Sequence, residues 1–137
     1  MSIKVPFLAS LQYTDAVIAA LLDGAKLRLY KNNYTPVNGS VLGDFTVANF
    51  DGYAEINLAA WSAAALDANN KAATAMASQT FTMTAPAATP NDIYGIFVVT
   101  AGGVLLYAER NPAGPITMNT AGQTYSYLPR FTGISEF

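Results

Sequence analysis

The chain has 137 residues, of which 52% are hydrophobic and only 12% charged, with seven Lys plus Arg against nine Asp plus Glu. Neither Cys nor His occurs, which excludes disulfides, thiolate or imidazole zinc sites, haem ligation through those side chains, and Cys–His or Ser–His–Asp nucleophile systems. The charge fraction is half the usual ~25% and near balance, so no electrostatic nucleic-acid footprint is expected, and a soluble chain this apolar should carry surface that partners cover.

Met1–Ser10 alternates weakly (Ile3, Val5, Phe7) around Pro6 and is expected to be an edge strand or an arm. Ile3, Val5, Phe7 and Leu8 would then add to, or wrap around, a neighbouring subunit. Lys4 is a weak start for a signal peptide, and Thr14 and Asp15 interrupt what would be its apolar stretch, so none is expected. A short helix follows. Thr14 can cap it, Asp15 suits its positive end, Val17/Leu21 and Ile18/Leu22 repeat at i, i+4, and Gly24 supplies the stop. The longest apolar run, Ala16–Leu22, is far short of the ~20 residues a bilayer requires.

The period then changes to two. "KLRLYK" sets Leu27 and Leu29 against Lys26, Arg28 and Tyr30. The stretch from Leu29 to Thr46 that follows holds Asn32, Asn33, Asn38, Gly39 and Gly43, residues that tolerate left-handed backbone, and Pro36. It is too long for a hairpin and reads as a crossover to another sheet, with the next strand starting at Gly52. Tyr34 is its one large residue expected to be exposed and to meet a neighbour. "GYAEINL" alternates, setting Ala54, Ile56 and Leu58 against Tyr53, Glu55 and Asn57. The alanine-rich Ala59–Ser78 is broken at Asp67–Asn70, giving a short helix or irregular piece near Trp61 and a small-residue strand near Ala72–Ala77.

"QTFTMTA" alternates cleanly. "DIYGIFVVT" is apolar on both faces, the mark of a central strand, and meets "VLLYAER" through Ala101-Gly102-Gly103, a hairpin signal. In "TYSYLPRFT", Pro129 places the strand at an edge or a bend. The expected fold is all-β, a β-sandwich or jelly-roll-like domain of roughly six to eight short strands with one short N-terminal helix. Residues 1–25 form the arm and helix, 26–137 the body, a single domain overall.

Without His or Cys, catalysis would rest on carboxylates. Asp51 and Glu55 lie four apart in the expected strand, roughly 13 Å along one face, whereas glycoside hydrolysis needs a pair about 5–10 Å apart. Asp44 in "GDFT" reads as a turn or helix cap. "DANN" at Asp67–Asn70 has a single carboxylate and reads as a turn rather than a calcium loop. Trp61 and the tyrosines could form a sugar platform, but core or interface is the expected use. Asn33-Tyr34-Thr35 and Asn38-Gly39-Ser40 match the glycosylation sequon without further support. No catalytic residue, metal or cofactor is expected.

Taken in order, "LRLYKNNYTP" (Leu27–Pro36), "VLGDFTVANFDGYAEINL" (Val41–Leu58) with Trp61 just after, "IYGIFVV" (Ile93–Val99), "LLYAER" (Leu105–Arg110) and "LPRFT" (Leu128–Thr132) resemble a family of small β-rich virion structural proteins of tailed bacteriophages. The resemblance covers Leu27–Thr132 and leaves the first 25 residues out. It implies a virion component without catalytic residues, some members being head decoration or cement proteins. Such a protein would form a homotrimer, bind the major capsid protein on the outer capsid surface, and stabilise the head. The alternatives are a trimeric tail-fibre or baseplate domain binding a host glycan, and a free carbohydrate-binding module.

Overall fold

A computed structural model describes residues 7–86 and 90–132, the first four by backbone alone. In chain order the elements are α1 (Phe7–Val17), a π-helical turn (Ile18–Leu22), β1 (Ala25–Tyr30), a 3-10 turn (Leu42–Asp44), β2 (Ile56–Leu58), β3 (Ala65–Leu66) and β4 (Ala72–Ala75). Then come β5 (Gln79–Thr82), β6 (Asn91–Ile93), β7 (Gly95–Val99), β8 (Leu105–Arg110), β9 (Ile116–Met118), β10 (Thr124–Tyr127) and β11 (Arg130–Thr132). The protein is all-β with one N-terminal helix, and its strands fall into several small antiparallel sheets.

The contacts divide the chain into two compact units. The first comprises Met1–Gly24, Leu58–Gln79 and Tyr127–Phe137. Ile3 and Val5 of the expected arm lie outside the described residues. Phe7 and Leu8 do not belong to an extended arm: their backbone is the first turn of α1. The physical reason is local. Phe7–Tyr13 contains no β-branched residue, and Pro6 before it in sequence suits a helix start. Thr14 is therefore not a cap but a mid-helix residue, 1% exposed. Asp15 faces a partner instead of a dipole: its Oδ1 accepts the Ala64 N–H at 2.8 Å. The helix loosens into the π turn, where the Asp23 N–H donates to the Ile18 carbonyl at 2.8 Å, and Gly24 at φ +78° ends it as expected.

The same unit holds the sheet β11-β4-β3, with Ala65↔Ala73 and Phe131↔Thr74 in register. α1 packs on β4 and β3, so the helix shares its unit with the alanine-rich segment. Ala72 and Thr74 are buried on β4, and side chains this small leave room for the helix. Near Trp61 the chain is irregular, and its indole N–H donates to the Leu22 carbonyl at 2.9 Å, one of the carbonyls a helix end leaves without a partner.

The second unit comprises Ala25–Asn57 and Thr80–Ser126. Its main sheet has the order β2-β1-β7-β8. β1 and β7 pair antiparallel from Lys26↔Val99 to Tyr30↔Gly95. β7 is buried along its whole length, as a central strand must be, and Thr100–Val104 turns it into β8 with the Thr100 N–H on the Val104 carbonyl at 2.8 Å. "GYAEINL" yields a strand only at Ile56–Leu58. Tyr53 is used differently: its hydroxyl accepts the Leu29 N–H at 3.2 Å, and its ring stacks on Phe81 with centroids 5.6 Å apart. β6 pairs antiparallel with β9, and β5 lies beside β10.

Candidate functional site

Lys31–Thr46 does not cross to another sheet. The Lys31 N–H donates to the Thr46 carbonyl at 2.8 Å, the Ala48 N–H donates to the Leu29 carbonyl at 3.0 Å, and Tyr30 bridges Val47. The segment leaves β1 and returns along β1, which makes it a closed Ω-loop. Nor do its asparagines take left-handed backbone. Among the described residues only Asn70, at φ 58°, does so without being glycine, and neither Gly39 nor Gly43 has positive φ. The amides serve as clamps instead. Asn32 Oδ1 accepts the Thr46 N–H and its Nδ2 donates to the Asp44 carbonyl, both at 2.8 Å.

Inside the loop, Asp44 Oδ2 accepts the Val41 N–H at 2.8 Å and the Tyr34 hydroxyl at 3.2 Å. Ser40 Oγ accepts the Val37 N–H at 2.8 Å and lies 2.7 Å from the Tyr34 hydroxyl. Tyr34 is thus not the exposed residue expected. It is half-buried, its ring meeting Phe45 edge-on at 5.3 Å. Phe45 in turn stacks on Phe97 at 4.9 Å and meets Tyr30 edge-on at 5.1 Å. Tyrosine is amphipathic, so its sequence position alone could not reveal which end faced water.

Arg110, at the end of β8, fixes the loop from outside. Nη1 donates to the Tyr34 carbonyl and Nη2 to Asn33 Oδ1, each at 2.9 Å, while its carbon centre lies 5.1 Å from the Tyr94 ring centroid. Such a fork uses both the planarity and the fixed charge of guanidinium. Burial pushes the Tyr30 phenol above its ordinary value, and the nearby Arg110 charge partly offsets this.

Between the clamped loop and the edge strand β8 runs a groove of about 370 Å³, lined by Pro36, Val37, Asn38, Ser40 and the four residues from Leu105 to Ala108. None of these side chains is charged. Val37 is 65% exposed and Val104, next to the lining, 63%. The groove offers hydroxyl and amide groups beside apolar side chains. Ser40 is occupied with loop backbone and has no base within its own hydrogen bonds other than Tyr34.

The other candidates take structural positions. Residues 51–55 form a turn and irregular chain, so the strand that would align Asp51 with Glu55 does not form; Glu55 accepts from Arg28 Nε at 2.7 Å. Asp67–Asn70 is the turn between β3 and β4, with Asp67 Oδ1 accepting from the N–H groups of Asn69 and Lys71. Tyr30 and Tyr125 are buried in the second unit. Compared with known proteins, the chain matches no family model, no curated protein and no solved structure. Sequence reasoning passed over Val37 and Val104. The available signal was a valine in the midst of turn residues, where a core would have no use for it.

Proposed function

We propose that the protein works by contact rather than catalysis, as a bacteriophage head decoration (cement) protein that trimerises and binds the major capsid protein on the outer capsid surface. The observation that carries this reading is the uncharged groove, rimmed by exposed Val37 on a loop held by side-chain hydrogen bonds to backbone. The resemblance of its ordered sequence pieces to small virion proteins is in keeping with it, as is the low charge of the chain.

A standard interface buries about 1,600 Å², roughly 57% of it apolar, which at about 25 cal/mol per Å² gives on the order of 23 kcal/mol gross. Lost rigid-body freedom costs about 4–15 kcal/mol, and side-chain ordering takes more. One subunit on one capsid site therefore holds moderately. Linking three makes the later contacts intramolecular and strengthens binding by about 10²–10⁴. The test adds purified protein to heads lacking it, at low and high ionic strength, and heats them. Binding that survives salt and raises head stability is expected, because screening weakens only electrostatic attraction. Heads that bind nothing would reject the reading.

A second reading, a trimeric tail-fibre or baseplate domain holding a host glycan, is favoured by the Asn38 and Ser40 polar groups along the same groove. Glycan binding lost in Val37→Asp, with no binding to heads, would select it.

A further inference from the structure

The described residues contain three Asx–Gly pairs: Asp23–Gly24, Asn38–Gly39 and Asp51–Gly52. In such a pair the glycine nitrogen can attack the preceding side-chain carbonyl carbon. Three conditions decide whether it does. The side chain must be free to turn, the glycine N–H must be free of a hydrogen bond, and nothing may crowd the ring that forms.

Asp23–Gly24 fails the second condition, since the Gly24 N–H donates to the Leu58 carbonyl at 2.8 Å. Asp51–Gly52 fails the third: a Cβ placed at Gly52 would lie 2.6 Å from the Thr84 methyl and 2.9 Å from the Thr82 carbonyl. Asn38–Gly39 meets all three. Asn38 is exposed, and neither its amide nor the Gly39 N–H makes a hydrogen bond among the described residues. Nothing lies within 4 Å of a Cβ at Gly39. The pair occupies the centre of a turn closed by the Ser40 N–H on the Val37 carbonyl at 3.0 Å, where central N–H groups have no ladder partner. Its amide leaves as ammonia, whereas the two aspartates would have to expel water.

We propose that Asn38 is a site of spontaneous deamidation that changes the charge of the groove. The Gly39 nitrogen bonds to Asn38 Cγ, the Cγ–Nδ2 bond breaks, and ammonia departs with the proton lost by the Gly39 nitrogen. The resulting cyclic imide takes up one water, which opens either carbonyl and leaves an aspartyl or isoaspartyl residue. Each product adds a carboxylate to a lining that holds no charged side chain, and makes the chain one unit more negative than its formal −2. The isoaspartyl product also lengthens the backbone inside a turn held by two hydrogen bonds to Ser40 and Val37. Ser40 is the residue beside the Tyr34 hydroxyl, so the change reaches the clamp. The proposal stands independently of the virion reading.

The experiment incubates the full chain warm at neutral and mildly alkaline pH and follows every asparagine by tandem mass spectrometry with fragmentation that separates the two products. Position 38 is expected to convert first, and faster as pH rises, because base removes the attacking amide proton. A new acidic band on isoelectric focusing should be absent from Asn38→Gln. Gly39→Ala should slow conversion by roughly tenfold, since a Cβ narrows the backbone freedom the ring requires. Both substitutions lie in an exposed turn with open space, so the variants fold. Conversion of exposed Asn69 or Asn70 ahead of Asn38, or a rate unchanged by Gly39→Ala, would overturn the proposal.

Discussion

Gly95 opens β7 directly against Tyr30. A Cβ there would collide with the Glu109 carbonyl and lie 2.8 Å from Tyr30 Cε1 and 2.9 Å from its hydroxyl. Neither neighbour can give: the carbonyl belongs to the β7–β8 ladder, and the Tyr30 ring is held by Phe45. Gly95→Ala is expected to cost about 3 kcal/mol, measured by denaturant unfolding. Burial also raises the phenol pKa of Tyr30, Tyr53 and Tyr125, with the Leu29 hydrogen bond and Arg28 partly opposing it at Tyr53 and Glu109 adding to it at Tyr125. The sign follows from linkage. The folded state keeps these protons longer than the unfolded chain, so their contribution is complete below the ordinary value of 10.0 and is lost as pH rises through the higher folded values. Absorbance titration of the eight tyrosines should show a delayed group, with melting temperature falling above about pH 10. A single joint titration of all eight in the folded protein would contradict this.

Among the elements, the Ω-loop and α1 make opposite demands. The loop carries few apolar anchors beyond Tyr34 and Phe45, so its order depends on side chains bonding to backbone, with Arg110 as its bridge to β8. Arg110→Lys keeps the charge but cannot reach Tyr34 and Asn33 together. A loss of about 1–2 kcal/mol is expected, with faster amide exchange at Val37 and Val41 and little change in β7. The helix has the reverse problem. Thr14 is buried, and its hydroxyl has no partner among the described residues. Thr14→Val keeps the shape and removes the unpaired group, so it should stabilise the fold by about 1 kcal/mol. Any measured loss of stability would mean that the hydroxyl has a use.

At the scale of the whole molecule, surface apolar side chains occur in both units: Tyr13, Leu21 and Leu128 in the first, Val37, Val41 and Val104 in the second. Covering such groups favours association. Native mass spectrometry at micromolar concentration is expected to give a species of three chains, and a monomer alone would count against the proposed trimer. Deleting Met1–Pro6 removes Ile3 and Val5 while sparing α1. If those residues serve a neighbour, the deletion lowers trimer stability and leaves the melting of the monomer unchanged.

The sequence by itself determined the β character of the body. Alternation in "KLRLYK", the doubly apolar "GIFVV" and the Gly102-Gly103 turn are local patterns, and a local pattern states its own period. The helix stop at Gly24 was legible for the same reason. Only the tertiary structure decided the closure of Lys31–Thr46 onto β1 and the inward turn of Tyr34. Each depends on a partner far along the chain: Asp44 and Phe45 for Tyr34, Thr46 for Lys31, Arg110 for Asn33. Asn32 and Asn33 were read for backbone tolerance, yet they act through side-chain hydrogen bonds, and propensity does not distinguish the two. The groove was hidden for the deepest reason. It is a space between a loop and an edge strand, and a sequence orders residues along the chain but does not say which of them leave a gap across it.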